Sequence, residues 1–151
     1  LFAAGADLNV RAGGPNLIER VESGLLSYGN DMTADNNPFE CGLGKFCKID
    51  PELDFIGKAA LSKIALNGPD RQIRAVAIDG PAVPPCADAW PMQDGETAVG
   101  QVTSAVWSPD FNTNVALAMI DKSRWQAGTE LTVICPDGPR TARVRDKFFN
   151  G

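Results

Sequence analysis

From residue 71 onward the chain breaks into short runs that are β-branched or alternate apolar with polar residues. The runs are 71–78, 96–107, 114–121, 130–135 and 140–145. Asp94-Gly95, Ala127-Gly128 and Asp137-Gly138 stand between them as turn signals. Five or six strands at this spacing predict a small antiparallel barrel or sandwich. The Pro-rich stretch from Pro81 to Pro91 reads as connection.

Upstream the pattern differs. Residues 54–66 predict a helix, because Leu61, Ile64 and Ala65 fall at i, i+3 and i+4 and Gly68-Pro69 supplies a stop. A domain boundary is therefore expected near residues 67–71. Residues 17–22 suit a helix turn or a strand equally, and periodicity does not decide between them. Gly24, Gly29-Asn30 and Asn36-Asn37-Pro38 make the next stretch loop-rich, and 38–50 suggest a short strand or bend. Arg11-Ala-Gly-Gly14 before Pro15 marks a break. The opening residues, Leu1 to Asp7, carry no basic region and no cleavage site. They read as the tail of a helix already under way, so a piece of something larger is expected, working in the cytoplasm.

Histidine is absent, which excludes Ser-His-Asp and Cys-His arrangements and the HExxH zinc motif. Chemistry must then come from carboxylates, amines, thiols or a cofactor. Cys41, Cys47, Cys86 and Cys135 have no CxxC spacing, so they are expected to be reduced and to hold no metal. A net charge of −5 argues against nucleic acid or an anionic membrane as partner. No apolar run approaches the roughly 20 residues that span a bilayer. Gly42-Leu-Gly44-Lys45 lacks the remainder of a phosphate loop. Asp31 to Asp35 lacks the EF-hand glycine and is expected to be a solvated acidic loop.

One segment stands apart. Between Arg20 and Asp31 an Arg, a Glu and a Tyr sit among glycines that allow close backbone approach. A carboxylate at Glu22 could accept two parallel hydrogen bonds from a planar donor pair on an amidine-like ring edge. An Arg20/Glu22 surface pair beside a turn is the competing reading, and chemistry alone leaves both open.

The run Arg20-x-Glu22-x-Gly24-x-x-x-Tyr28-Gly29-x-Asp31 resembles the folate-binding signature of the aminomethyltransferase family, the T-protein of the glycine cleavage system. Further resemblances follow in order. They are Asp54-Phe-Ile-Gly57-Lys-x-Ala60-Leu61, Val99-Gly-Gln-Val-Thr-Ser104, Ser108-Pro109, Asn114-Val-Ala-Leu-Ala118, Gly128-Thr-x-Leu131 and Ala142-x-Val144-x-x-x-Phe148. Leu25 to Met32, Asn37 to Gly42 and Trp107 look most like the dimethylsulfoniopropionate demethylase branch. The Lys-Gly-Cys-Tyr-x-Gly-Gln-Glu signature of the folate-binding iron–sulfur assembly branch is missing.

The resemblance implies an α+β chain: a folate-binding lobe remnant with one helix over residues 1–69, then a C-terminal antiparallel β-barrel over 70–151. It implies a tetrahydrofolate cofactor whose pterin is gripped by Glu22, with Tyr28 and Arg20 as further signature residues. The family often places an arginine for the folate tail where Phe46 stands here. Lys45 and Lys48 are the substitutes, as point charges in place of a fork. Ala105 stands where the family has glycine. The family's catalytic aspartate lies upstream of Leu1, so no catalytic residue is expected in this chain, and the fragment alone is expected to be inactive. The implied reaction moves a methyl group from a sulfonium to folate N5, a displacement that needs alignment more than acid–base help. Glycine-cleavage aminomethyl transfer, or a non-catalytic closing module, are the alternatives. The implied partners are a small-molecule substrate and a second copy, joined through the surface that the N-terminal lobe covers in the family.

Overall fold

The computed structural model of the protein describes residues 2–8, 16–50 and 52–150. The expected break at Arg11–Pro15 and the first residue, Leu1, lie outside them. Six strands form a closed barrel: β1 Arg71–Ile78, β2 Trp90–Asp94, β3 Thr97–Ser108, β4 Thr113–Asp121, β5 Glu130–Cys135 and β6 Gly138–Val144. Their order around the barrel is β1-β4-β3-β2-β5-β6, with β6 returning to β1, and every pairing is antiparallel. Closure removes the exposed edges that an open sheet of this size would carry. Of the barrel and the sandwich that the strand spacing allowed, the barrel implied by the family resemblance is the fold.

β2 corrects one expectation, since it begins inside the Pro-rich stretch read as connection. Pro91 stands opposite Gln101 of β3, whereas pairing with β5 involves only Met92 and Gln93. The missing N–H of Pro91 therefore falls where the ladder to β5 has not begun, a position that tolerates proline.

Alternation divides β4 between two cores. Ala116, Ala118 and Ile120 point into the barrel beside Val76, Val102 and Val133. Val115, Leu117 and Met119 point outward onto Ile73, Val21 and Phe149. Being covered on both faces, β4 is apolar without a break from Val115 to Ile120.

The outer cover is α1, Leu17–Glu22. Helix wins over strand here because Asn16 and Glu19 form a capping box. Glu19 N donates to Asn16 Oδ1 at 2.9 Å, and Asn16 N donates back to Glu19 Oε2 at 3.4 Å. α2 runs Lys58–Asn67 and so begins four residues later than the helix expected over 54–66. Gly57 holds a left-handed φ of 88°, which places residues 54–56 outside the helix. Leu61 and Ile64 are half-buried, Ala65 is exposed, and α2 contains no buried residue. Residues 38–50 form turns over 38–42 and a 3-10 helix at Gly44–Phe46, not a strand. Residues 2–8 form turns ending in a 3-10 helix at Ala6–Leu8, where the tail of a longer helix was expected. All four cysteines are free. Among the described residues no helix is long and apolar enough to cross a membrane.

Candidate functional site

The outer face of β3 carries an irregularity that organises the site. Val102 stands opposite Ala118 and Ser104 opposite Leu117, so Thr103 is an extra residue, a β-bulge. Consecutive strand residues normally face opposite sides, but the bulge turns two neighbouring hydroxyls the same way. Thr103 Oγ1 and Ser104 Oγ both donate to Asp31 Oδ1, at 2.6 and 2.7 Å. Asp31 Oδ2 accepts from Arg20 Nη1 at 2.7 Å and from the Ser27 amide at 2.8 Å. Arg20 Nη2 donates to Ser104 Oγ at 2.8 Å and its Nη1 also to the Leu25 carbonyl at 3.0 Å. The carboxylate thus has four donors, which is what a fully shielded Asp requires. Asp31 is not part of a solvated acidic loop, as its sequence setting suggested; it is the buried centre of a network joining α1, the 25–32 loop and the barrel.

Two residues beyond Arg20 the side chain of Glu22 turns to another part of β3. Only 2% of the residue is exposed. Its Oε1 accepts from Ser108 Oγ at 2.6 Å and its Oε2 from Asn150 Nδ2 at 2.8 Å. The Asn150 backbone N–H also donates to the Glu22 carbonyl at 3.1 Å. Arg20 and Glu22 are therefore not a surface pair. No cation lies within ion-pair distance of Glu22 among the described residues. Each of its oxygens accepts one bond, so about two of a carboxylate's roughly four acceptor positions are free. The donor on Oε2 is the amide of Asn150, an exposed residue.

Tyr28 lies on the loop that closes over Asp31, with 72% of its surface exposed. Its backbone bridges Met32. Lys45 sits on the separate Gly44–Phe46 turn, its Nζ 5.0 Å from the centre of the Phe46 ring. The structure thus brings Arg20 and Glu22 to one face of the barrel through different partners, leaves Tyr28 open to solvent, and among the described residues gives Lys45 no hydrogen bond or ion pair with the other three. Sequence reasoning missed Thr103, Ser104, Ser108 and Asn150 as members of the site. The adjacent hydroxyls at 103 and 104 were the available signal, but only the bulge reveals that they point together.

Residues 71–150 match the glycine cleavage T-protein C-terminal barrel domain family. The match starts at the first residue of β1 and runs past β6 to Asn150. The chain belongs to this family. Over 149 residues it is 63% identical to dimethylsulfoniopropionate demethylase DmdA of Ruegeria pomeroyi, covering 99% of this chain and 40% of that protein. Over 151 residues it is 34% identical to an aminomethyltransferase of Caldanaerobacter subterraneus, covering 99% of this chain and 40% of that one. Its fold is shared with aminomethyltransferase T of the glycine cleavage system from Bartonella henselae, at a TM-score of 0.70 and 22% identity over 88% of this chain and 37% of the other. The chain spans about two fifths of the length of the curated relatives it matches. Within this member of the T-protein barrel family, Thr103, Ser104, Ser108 and Asn150 belong to the matched range and Arg20, Glu22 and Asp31 precede it. The site is therefore built by the barrel domain together with the segment upstream of it.

Proposed function

We propose that this chain is the C-terminal part of a tetrahydrofolate-dependent methyltransferase of the dimethylsulfoniopropionate demethylase type, acting in the cytoplasm. The observation that carries the reading is the contrast in identity over nearly the same span: 63% to the demethylase against 34% to the aminomethyltransferase. The activity is proposed for the longer protein that such relatives represent. Residues 1–69 are read as part of its folate-binding lobe and 70–151 as its closing barrel.

When bound, the folate would supply the N5 nucleophile that accepts the methyl group. Glu22 fits the pterin edge for a physical reason. A buried carboxylate with no cation beside it and free acceptor positions calls for further donors. The pterin's ring N–H and exocyclic amine are an adjacent donor pair. They would take the place of the exposed Asn150 amide on Oε2 and add a second bond. Arg20 acts through Asp31, fixing α1 and hence Glu22 against β3. Tyr28 offers an exposed ring on the loop that carries Asp31, and Lys45, on its separate turn, is left as a point charge for the folate tail.

Calorimetric titration of tetrahydrofolate into this chain and into Glu22→Gln tests the reading. Saturable binding is expected, weakened by at least tenfold in the variant, since removing one partner of a buried charged contact costs about 2–5 kcal/mol. Equal binding by both would remove Glu22 from the site. Absence of binding by both would leave the barrel as a closing module without a folate contact of its own.

A further inference from the structure

The sequence contains two Asn-Gly dipeptides, Asn67-Gly68 and Asn150-Gly151. In such a pair the backbone nitrogen of the glycine can close on the asparagine side-chain carbon, because no side chain of its own obstructs the approach. The fold treats the two pairs differently. Asn67 is the last residue of α2, and the Gly68 N–H donates to the Ile64 carbonyl at 2.8 Å, so the attacking nitrogen is tied into the helix end. Asn150 is exposed and lies outside every helix and strand.

The Asn150 side chain is nevertheless in use. Its Nδ2 donates to Glu22 Oε2 at 2.8 Å and its backbone N–H to the Glu22 carbonyl at 3.1 Å. These two bonds fasten the end of a strap, residues 145–150, to the last residue of α1. Earlier in the strap the Arg145 backbone N–H donates to the Ala75 carbonyl at 2.9 Å. The Arg145 guanidinium lies 4.0 Å over the Phe149 ring, and that ring meets Phe111 edge-on at 5.2 Å. The strap is therefore held by packing along its length and by the amide of Asn150 at its end.

We infer that Asn150 is a deamidation site and that its conversion releases the strap from Glu22. The Gly151 nitrogen bonds to Asn150 Cγ, and the side-chain nitrogen leaves as ammonia, taking the proton from the Gly151 nitrogen. The resulting succinimide takes up one water and opens to aspartate or isoaspartate. While Nδ2 is held on Glu22 the side chain is not free to turn toward the glycine, so ring closure runs from the opened strap. Loss of ammonia then removes the donor that would close it again. A carboxylate stands in its place, and two carboxylates at hydrogen-bond distance repel unless they share a proton. Arg145 and Lys147 form no ion pair among the described residues and can receive the new charge, which draws it away from Glu22. A transient local opening is thereby made permanent. The change depends on the contacts Glu22 makes within the chain and not on which ligand the residue holds.

Ageing the folded chain at mildly alkaline pH, beside the same chain unfolded in urea, tests the site. Peptide mass spectrometry reads the gain of one mass unit at each asparagine, and enzymatic carboxyl methylation counts isoaspartate. In urea both Asn67 and Asn150 should convert. In the folded chain Asn150 should convert about tenfold or more faster than Asn67, because its protection is only that of a local opening. Equal folded rates, or an Asn150 that stays intact while the unfolded chain converts, overturn the site. Release of the strap is read by trypsin cutting after Lys147, an exposed residue, under conditions where cleavage follows the opened population. Losing a hydrogen bond to a charged group should speed this cut about tenfold to a hundredfold in Asn150→Ala, and at least as much in Asn150→Asp. A cut no faster in Asn150→Asp than in the parent would show that Phe149 holds the strap unaided, and would overturn the release. The aged chain, separated from the parent by anion exchange, carries the same measurement if Asn150→Asp does not fold.

Discussion

Arg20 Nη1 lies 2.7 Å from Asp31 Oδ2, with the Asp31 side chain wholly shielded and the Arg20 side chain 16% exposed. The pair fastens the end of α1 to the 25–32 loop, and the bulge hydroxyls fasten both to β3. Glu22 sits two residues further along the same anchored element. The position of the proposed ligand contact therefore depends on a carboxylate that no ligand need touch.

Asp31→Ala should lower stability by about 3–5 kcal/mol, because it strands a partly buried guanidinium and leaves two hydroxyls without their acceptor. Arg20→Met/Asp31→Ala should cost less than Asp31→Ala alone, since the uncompensated charge is gone. Urea unfolding of the parent, of Arg20→Met and Asp31→Ala singly, and of the double variant gives the coupling directly. A loss below about 1 kcal/mol for Asp31→Ala would mean that water replaces the network at little cost.

The barrel was legible because strands that alternate between a core and an outer layer write their period into the sequence. β2 was not, because Pro91 is a breaker by composition and is tolerated only where its neighbour's ladder is absent. For six residues at 17–22 periodicity cannot separate helix from strand, although the Asn16-x-x-Glu19 capping box was there to read. Glu22 drew attention as a carboxylate among glycines, but its burial depends on Ser108 and Asn150, which are 86 and 128 residues away. Asp31 was misread for the same reason. In a loop of Asn, Asp, Thr and Ala a carboxylate looks solvated, and its bulge partners lie 72 and 73 residues further on. Local sequence reports local structure well, and both carboxylates are decided by register far downstream.

Gly24 terminates α1 with φ at 69°, and the Phe148 ring occupies the space a side chain would need. Gly24→Ala combines a left-handed backbone penalty of about 1–2 kcal/mol with overpacking of about 1–3 kcal/mol. A total loss of about 2–5 kcal/mol is expected in thermal or urea unfolding. Phe148→Ala should carry its own cavity cost, yet Gly24→Ala should be less damaging in that background, because only the steric part is relieved. Strict additivity of the two changes would show that the ring yields freely and that the backbone alone requires glycine.

Cys86 is half-buried against the barrel interior, and its Sγ–H donates to the Asp88 carbonyl at 3.5 Å. Burial pushes the thiol up from its ordinary 9.0 to about 11; the Ala105 backbone hydrogen bond works against this, while Asp31, Cys135 and Asp88 add to it. A raised thiol pKa favours the neutral form, so reactive thiolate is scarce at neutral pH and grows only as pH approaches the raised value. At pH near 8 the native protein should be alkylated at Cys86 about 100-fold more slowly than the urea-unfolded chain, the ratio that a two-unit shift implies. The native rate should keep climbing about tenfold per pH unit past 9, where the unfolded rate levels off. Iodoacetamide labelling followed by peptide mass spectrometry measures both rates at this one site. A native rate that levels off near 9 would mean that water reaches the thiol in the folded protein.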